Sequence, residues 1–165
     1  MTKLRMRSMG LALTVALVMP SAGTAGSAAG APAPARPGKY VGTVIEDGQP
    51  STKEWLRFRV SSNGRKVTSY ESRVWVVCYE YPNSYYQLPV VFSAPSARIG
   101  ANRTVDKSWT EPYLADGVEY TLTGRLQLKF KPSGRVTGQV SIDFASCATL
   151  TGDPPYFVPL KAHRV

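Results

Sequence analysis

The amino-acid sequence predicts an all-β fold: an antiparallel β-sandwich or a flattened up-and-down β-barrel of about 8–9 strands, with one disulfide. Three observations carry this. Apolar residues recur with period two in several segments, as on a strand with one buried face. Turn formers (Asp-Gly, Asn-Gly, Ser-Gly, Pro) punctuate those segments at roughly the 8–12 residue spacing of sandwiches and barrels. After Gly38, no stretch of about a dozen residues shows the apolar spacing of a helix.

The chain opens with the three parts of a secretory signal. Lys3, Arg5 and Arg7 are followed by an apolar run over residues 9–19, then Pro20 and small residues. The run is short against the roughly 20 residues that span a bilayer as a helix. A cleaved signal peptide over residues 1–25 is expected, with cleavage between 22 and 29, and no membrane span in the mature form. Residues 26–37 are Ala, Pro, Gly and Ser with one charge, Arg36, which is linker composition. Residues 38–165 suit a single β-domain with its own core.

Residues 40–45 read as the first strand, and Asp47-Gly48 and Pro50 as the turn after it. Leu56, Phe58 and Val60 then alternate with Trp55, Arg57 and Arg59. Asn63-Gly64 signals a hairpin in which both residues accept positive φ. The chain returns over residues 66–71. Residues 73–81 are apolar on both faces, with Val74, Val76 and Cys78 on one and Trp75, Val77, Tyr79 and Tyr81 on the other, the pattern of a central strand. Pro82 ends it before Tyr85-Tyr86, and residues 87–92 form a further strand in which Pro89 marks either an edge or a late start.

Residues 93–116 carry the weakest pattern. A short strand is expected within residues 99–109, then a loop through Pro112 to Gly117. Residues 118–130 alternate cleanly, with Gly124 in phase as a bend or bulge. Ser133-Gly134 turns the chain into the strand over residues 135–144. A loop bearing Cys147 leads to the last strand, with Phe157 or Val158, Leu160 and Ala162 available to the core. The two cysteines of an exported chain most simply form one disulfide, Cys78–Cys147. Closing so long a loop gives on the order of 4 kcal/mol by chain entropy.

The parts of an enzyme are scarce. The one histidine, His163, lies in the C-terminal segment, and there is no Gly-x-Ser-x-Gly stretch. Zinc sites built on His and Cys have too few ligands, and the Asp-Gly turns lack the close ligand spacing of a calcium loop. Paired carboxylates among Asp106, Glu111, Asp116, Glu119 and Asp143 are the one hydrolytic option, that of a glycosidase. No metal or cofactor is expected.

The formal charge of +9 becomes +6 without Lys3, Arg5 and Arg7, with the charges scattered along the chain. A positive surface outside a cell favours anionic partners such as cell-wall polymers. Trp55, Arg57 and Arg59 share one strand face, where cations can meet acid groups and a ring can stack on a flat sugar face. Tyr85 and Tyr86, with Tyr79, Tyr81, Trp109 and Tyr113, stand near loops and can form a recognition surface. These define the candidate binding residues Trp55, Arg57, Arg59, Tyr85 and Tyr86.

Several stretches together resemble a family of small exported β-domains common in actinobacteria. They are the Gly-x-Tyr-x-Gly-Thr start at residues 38–43, the hairpin at residues 56–67, Cys78, and the Thr-Gly at Thr123-Gly124. The Ser-Gly-x-x-x-Gly hairpin of Ser133, Gly134 and Gly138, Cys147 and a short terminal strand complete the pattern. The resemblance spans most of residues 38–165 except the stretch 93–117. It implies export, fold and disulfide and transfers no catalytic residue. The Gly-Thr and Thr-Gly signatures are also similar to those of avidin-like barrels, without that family's ligand-contact pattern.

The expected function is therefore that of a secreted, non-enzymatic β-domain binding an anionic or glycan cell-envelope partner. No specific nucleic acid is expected. The alternatives are a small-ligand barrel, a module that binds or inhibits an extracellular protein, and a glycosidase with paired carboxylates.

Overall fold

In the computed structural model, which describes residues 33–115, 117–149 and 157–165, the alternating segments become antiparallel strands and no described residue is helical. In chain order they are β1 (Gly38–Glu46), β2 (Gln49–Pro50), β3 (Trp55–Val60), β4 (Lys66–Glu80), β5 (Ser84–Ala94) and β6 (Ala97–Arg98). There follow β7 (Thr104–Ala115), β8 (Val118–Phe130), β9 (Arg135–Phe144), β10 (Cys147–Ala148) and β11 (Val158–Arg164). Three of these are two-residue bridges, and the others, β7 apart, are the strands that the alternation foretells. The expected signal at residues 1–25 lies outside the described residues.

Six strands, β1, β3, β4, β10, β9 and β11, pair in a ring and close an antiparallel barrel. From the outer edge of β4 hang β5 and β6, and from the outer edge of β9 hang β8 and then β7. The barrel form of the two expected architectures is thus the one adopted, with outer strands added.

The strand rich in apolar residues on both faces is indeed central. β4 runs through the expected break at residue 72 as one strand, bonded to β3 and β10 on one edge and to β5 and β6 on the other. Its inner face holds Val74, Val76 and Cys78 at 0% exposure. Ser69, with φ of 53°, makes an extra residue where the register with β3 shifts. That bulge lets both Val67 and Tyr70 face inward.

Strands β1, β3, β4, β5 and β7 each contribute one ring to a row, in which β5 and β7, not paired with each other, meet through their rings. Tyr40 stacks on Phe58 at 4.9 Å, Phe58 stacks on Tyr70 and Phe92 on Trp109 at 6.1 Å, and Tyr70 meets Phe92 tilted by 40° at 6.1 Å. Phe130 closes edge-on against Tyr40 and Phe58. Cross-strand aromatic pairs add stability beyond their burial, about 0.5–1.5 kcal/mol each. Cys78 and Cys147 are register partners of β4 and β10 and are bonded to each other.

Three local readings change. At the β3–β4 turn only Gly64 takes positive φ. Asn63 keeps negative φ, and its Oδ1 accepts from Arg65 N and Ser61 Oγ. The stretch expected as a short strand and a loop is instead β7, paired with β8 from Thr104 to Ala115. Its alternation is weak because β7 is an edge: in the inward phase set by Val105 and Trp109 stand Lys107 and Glu111, which an edge strand tolerates. Gly124 makes no bulge. It pairs in regular register with Trp109, whose ring lies on it, so Trp109 belongs to the core and not to a recognition loop.

A Cβ at position 124 would overlap Trp109 Cζ2 and Cε2. Gly124→Ala should therefore displace the last ring of the row and cost about 1–3 kcal/mol by overpacking. Urea unfolding measures the loss, and near-ultraviolet circular dichroism should report the moved indole. An unchanged midpoint would contradict this packing.

Candidate functional site

The barrel ring has a seam where backbone pairing is incomplete. Along one edge of β4, β3 reaches Arg73 and β10 begins at Val77. Trp75 N, between them, donates to Glu54 Oε1 at 2.6 Å. Glu54 thus supplies the acceptor that a strand would otherwise provide. It is only 4% exposed. Ser51 Oγ accepts from Glu54 N, and Thr43 Oγ1 donates to the carbonyls of Ser51 and Glu54, which fixes the segment leading into β3.

The other carboxyl oxygen, Glu54 Oε2, is buried without a hydrogen-bond partner. Burial raises the Glu54 pKa most, the Trp75 N–H pulls it back, and the nearby Glu46 carboxyl pushes it up again, to about 7. Outside this seam lies a cleft of about 570 Å³ lined by Glu46, Asp47, Lys53, Glu54, Trp75 and Gln87, among others. None of the expected carboxylate pairs matches this one. Asp106 is bonded to Arg125 and Gln127 at 2.8–2.9 Å, and these bonds hold its pKa down to about 2. Sequence did hold a signal for Glu54: it continues the inward phase of Leu56, Phe58 and Val60, where an acid is out of place.

At the opposite end, the topology gathers basic residues that are scattered in the sequence. Lys39 faces Arg59 across β1 and β3, Lys66 faces Arg98 across β4 and β6, and His163 faces Arg135 across β11 and β9. Arg36 and Arg164 both approach Gly134 in the β8–β9 turn. Arg65, Arg98 and Arg103 line a pocket of about 240 Å³ beside residues 33–35. Among the described residues the ion pairs are Arg57–Glu71 and Arg125–Asp106, so none of these basic groups is neutralised in one.

The expected binding residues do not form one patch. Arg57 is paired with Glu71 and lies against the Trp55 ring at 5.2 Å. Arg59 belongs to the basic end. Tyr85 and Tyr86 lie about 35 Å along β4 from it at the rise of a strand. There Tyr86 joins Leu88, Tyr113, Tyr120 and Phe144 around a cleft of about 360 Å³. Tyr79, Tyr81 and Tyr85 are exposed at the β4–β5 turn, with Tyr79 and Tyr85 in ring contact. Among the described residues no group of three or more His, Cys, Asp or Glu could hold a metal ion. Comparison with family models, with curated proteins and with solved structures finds no match to this chain.

Glu54 gives stability a defined pH dependence. Its folded pKa of about 7 lies above the ordinary 4.5, so the folded chain keeps a proton that the unfolded chain releases in that window. The contribution is full below about pH 4.5 and is lost as pH rises through about 7. Urea unfolding should show the protein more stable at pH 5 than at pH 8, by on the order of 2–3 kcal/mol. Glu54→Gln keeps the acceptor for Trp75 N and should flatten that difference. A wild-type profile already flat between those pH values would refute it. Asp106, largely exposed, acts in the opposite sense only in strong acid, and solvent screening keeps its share small.

Proposed function

We propose that this chain is an exported, non-enzymatic β-domain that binds an anionic polymer of the cell envelope through its basic end. The carrying observation is the set of like charges placed directly opposite one another: Lys39 and Arg59, Lys66 and Arg98. Such pairs destabilise a sheet, and a domain that needed charge only for solubility would gain by dispersing it. A polyanion turns the same arrangement into attraction, with guanidinium groups binding sulfate, phosphate or carboxylate oxygens. The pocket between Arg65, Arg98 and Arg103 has room for one such group. The signal-like N-terminus and the resemblance to small exported β-domains support the location, and the disulfide is compatible with it.

In this reading Arg59 is a contact residue, whereas Trp55 and Arg57 form a self-satisfied stripe with Glu71. A second contact, for a glycan, is supported by the aromatic cleft of Tyr86, Tyr113, Tyr120 and Phe144, since flat rings in a cleft suit sugar faces.

Retention on immobilised heparin and on polyphosphate, as sulfated and phosphorylated probes, tests the reading. Binding should be strong at low salt and fall steeply as salt rises. Arg98→Glu should weaken retention while leaving stability unchanged or higher by up to about 1 kcal/mol, because it converts a like pair with Lys66 into an opposite one. Lys107→Glu, away from the basic end, should matter much less. No retention on either matrix at low salt, or equal loss from both variants, would sink the proposal.

A further inference from the structure

We propose that the cleft at the barrel seam binds a primary ammonium group carried on an aliphatic stem. The proposal is independent of the basic end, which lies at the other pole of the barrel. Three features of the cleft converge on it. Glu54 lines the cleft while only 4% exposed, and its Oε2 is a buried acceptor with no donor. A buried acceptor without a partner is costly, and an incoming N–H removes that cost. Glu46 and Asp47 line the same cleft, so acids gather there from the end of β1 and the start of β3. The lining cation is Lys53, which is exposed and forms no ion pair among the described residues. The remaining wall is mixed: Ile45, Trp75, Val77 and Val158 supply its apolar part, and Ser51, Thr52 and Gln87 its uncharged polar part. A short hydrocarbon stem can lie along Val77 and Val158 while the Trp75 ring attracts the cationic head.

The proton balance follows from the groups present. When Glu54 carries its proton, the Glu46 carboxyl is at hand to share it. An ammonium ligand brings its own three N–H donors, so it binds the ionised Glu54 carboxyl and expels that proton. Binding therefore strengthens as pH rises through the Glu54 titration, with Glu46, Asp47 and Lys53 as the other titratable groups facing the cleft. Affinity should fall about tenfold for each pH unit below the midpoint, the slope for one linked proton.

The Trp75 backbone amide donates directly to Glu54, so its NMR signal reports the state of the carboxyl. Titrations at pH 8 would use 1,5-diaminopentane as a free amine and Nα-acetyl-lysine methylamide as a peptide-borne one. Nε-Acetylation of the latter removes the charge and keeps the stem. Either amine should produce a saturable shift of the Trp75 amide at pH 8, weaker by about tenfold or more at pH 6, and the acetylated analogue should produce none. Which amine saturates first tells a free ligand from a lysine side chain. Glu46→Gln, at an exposed position, should abolish the pH 8 response in a folded protein, and Arg98→Glu should leave it intact. No saturable shift with either amine, an equal response to the acetylated analogue, or full binding by Glu46→Gln would overturn the proposal.

Discussion

Closure of the barrel depends on β4 finding hydrogen-bond partners along one whole edge. β3 serves it up to Arg73, the Glu54 carboxyl serves Trp75, and β10 serves Val77 and Cys78. A buried N–H left unpaired costs of the order of 1–3 kcal/mol, so each of these partners is required. β10 is only two residues long and could not hold such a junction by backbone pairing alone. The disulfide between the register partners Cys78 and Cys147 fixes it covalently. Apart from the two-residue β2 on β1, the strands outside the ring hang on two of its members: β5 and β6 on β4, β8 and β7 on β9.

The same seam explains why an acid is buried in an otherwise apolar core. A backbone carbonyl in place of the Glu54 carboxyl would require β3 to begin before Trp55, and residues 51–54 are instead held by the Thr43 and Ser51 hydroxyls. A side-chain carboxyl reaches the orphan amide from outside the strand. Its second oxygen is left buried with no donor, on a side chain that neighbours Glu46. A structural bond at Oε1 and an unused acceptor at Oε2 arise from one residue.

Charge in this molecule is polar along the strand direction. Turns and strand ends carrying Arg and Lys meet at one pole. Glu46, Asp47 and Glu54 lie at the other, near the tyrosine-rich β4–β5 turn. Antiparallel pairing produces this separation, because the β3–β4 and β8–β9 turns and the two terminal segments of the domain all fall at the same end. Along the chain those residues are tens of positions apart, and no linear count of charge reveals their convergence.

Much of the fold was legible from alternation alone, because a half-buried strand must place apolar residues at every second position. The inward sets of Leu56, Phe58 and Val60, of Leu122, Leu126, Leu128 and Phe130, and of Val136, Val140, Ile142 and Phe144 are all buried in the structure, whereas Val118, in phase with Leu122, is exposed and Tyr120 is only half-buried, since β8 there runs out beyond the core. The central place of the strand bearing Cys78 and its bond to Cys147 were legible too, from two apolar faces and a cysteine count. β7 was not, because an edge strand needs no such pattern and carries Lys107 and Glu111 in phase. Among the candidate residues, sequence could show that Trp55, Arg57 and Arg59 share a strand face, since that follows from period two. Only tertiary structure decided that Arg57 is spent on Glu71, that Arg59 joins a distant set of cations, and that Tyr86 faces Tyr113 and Phe144. It also made Glu54 a seam residue. Strand order and register set each of these, and they depend on contacts between segments far apart in the chain.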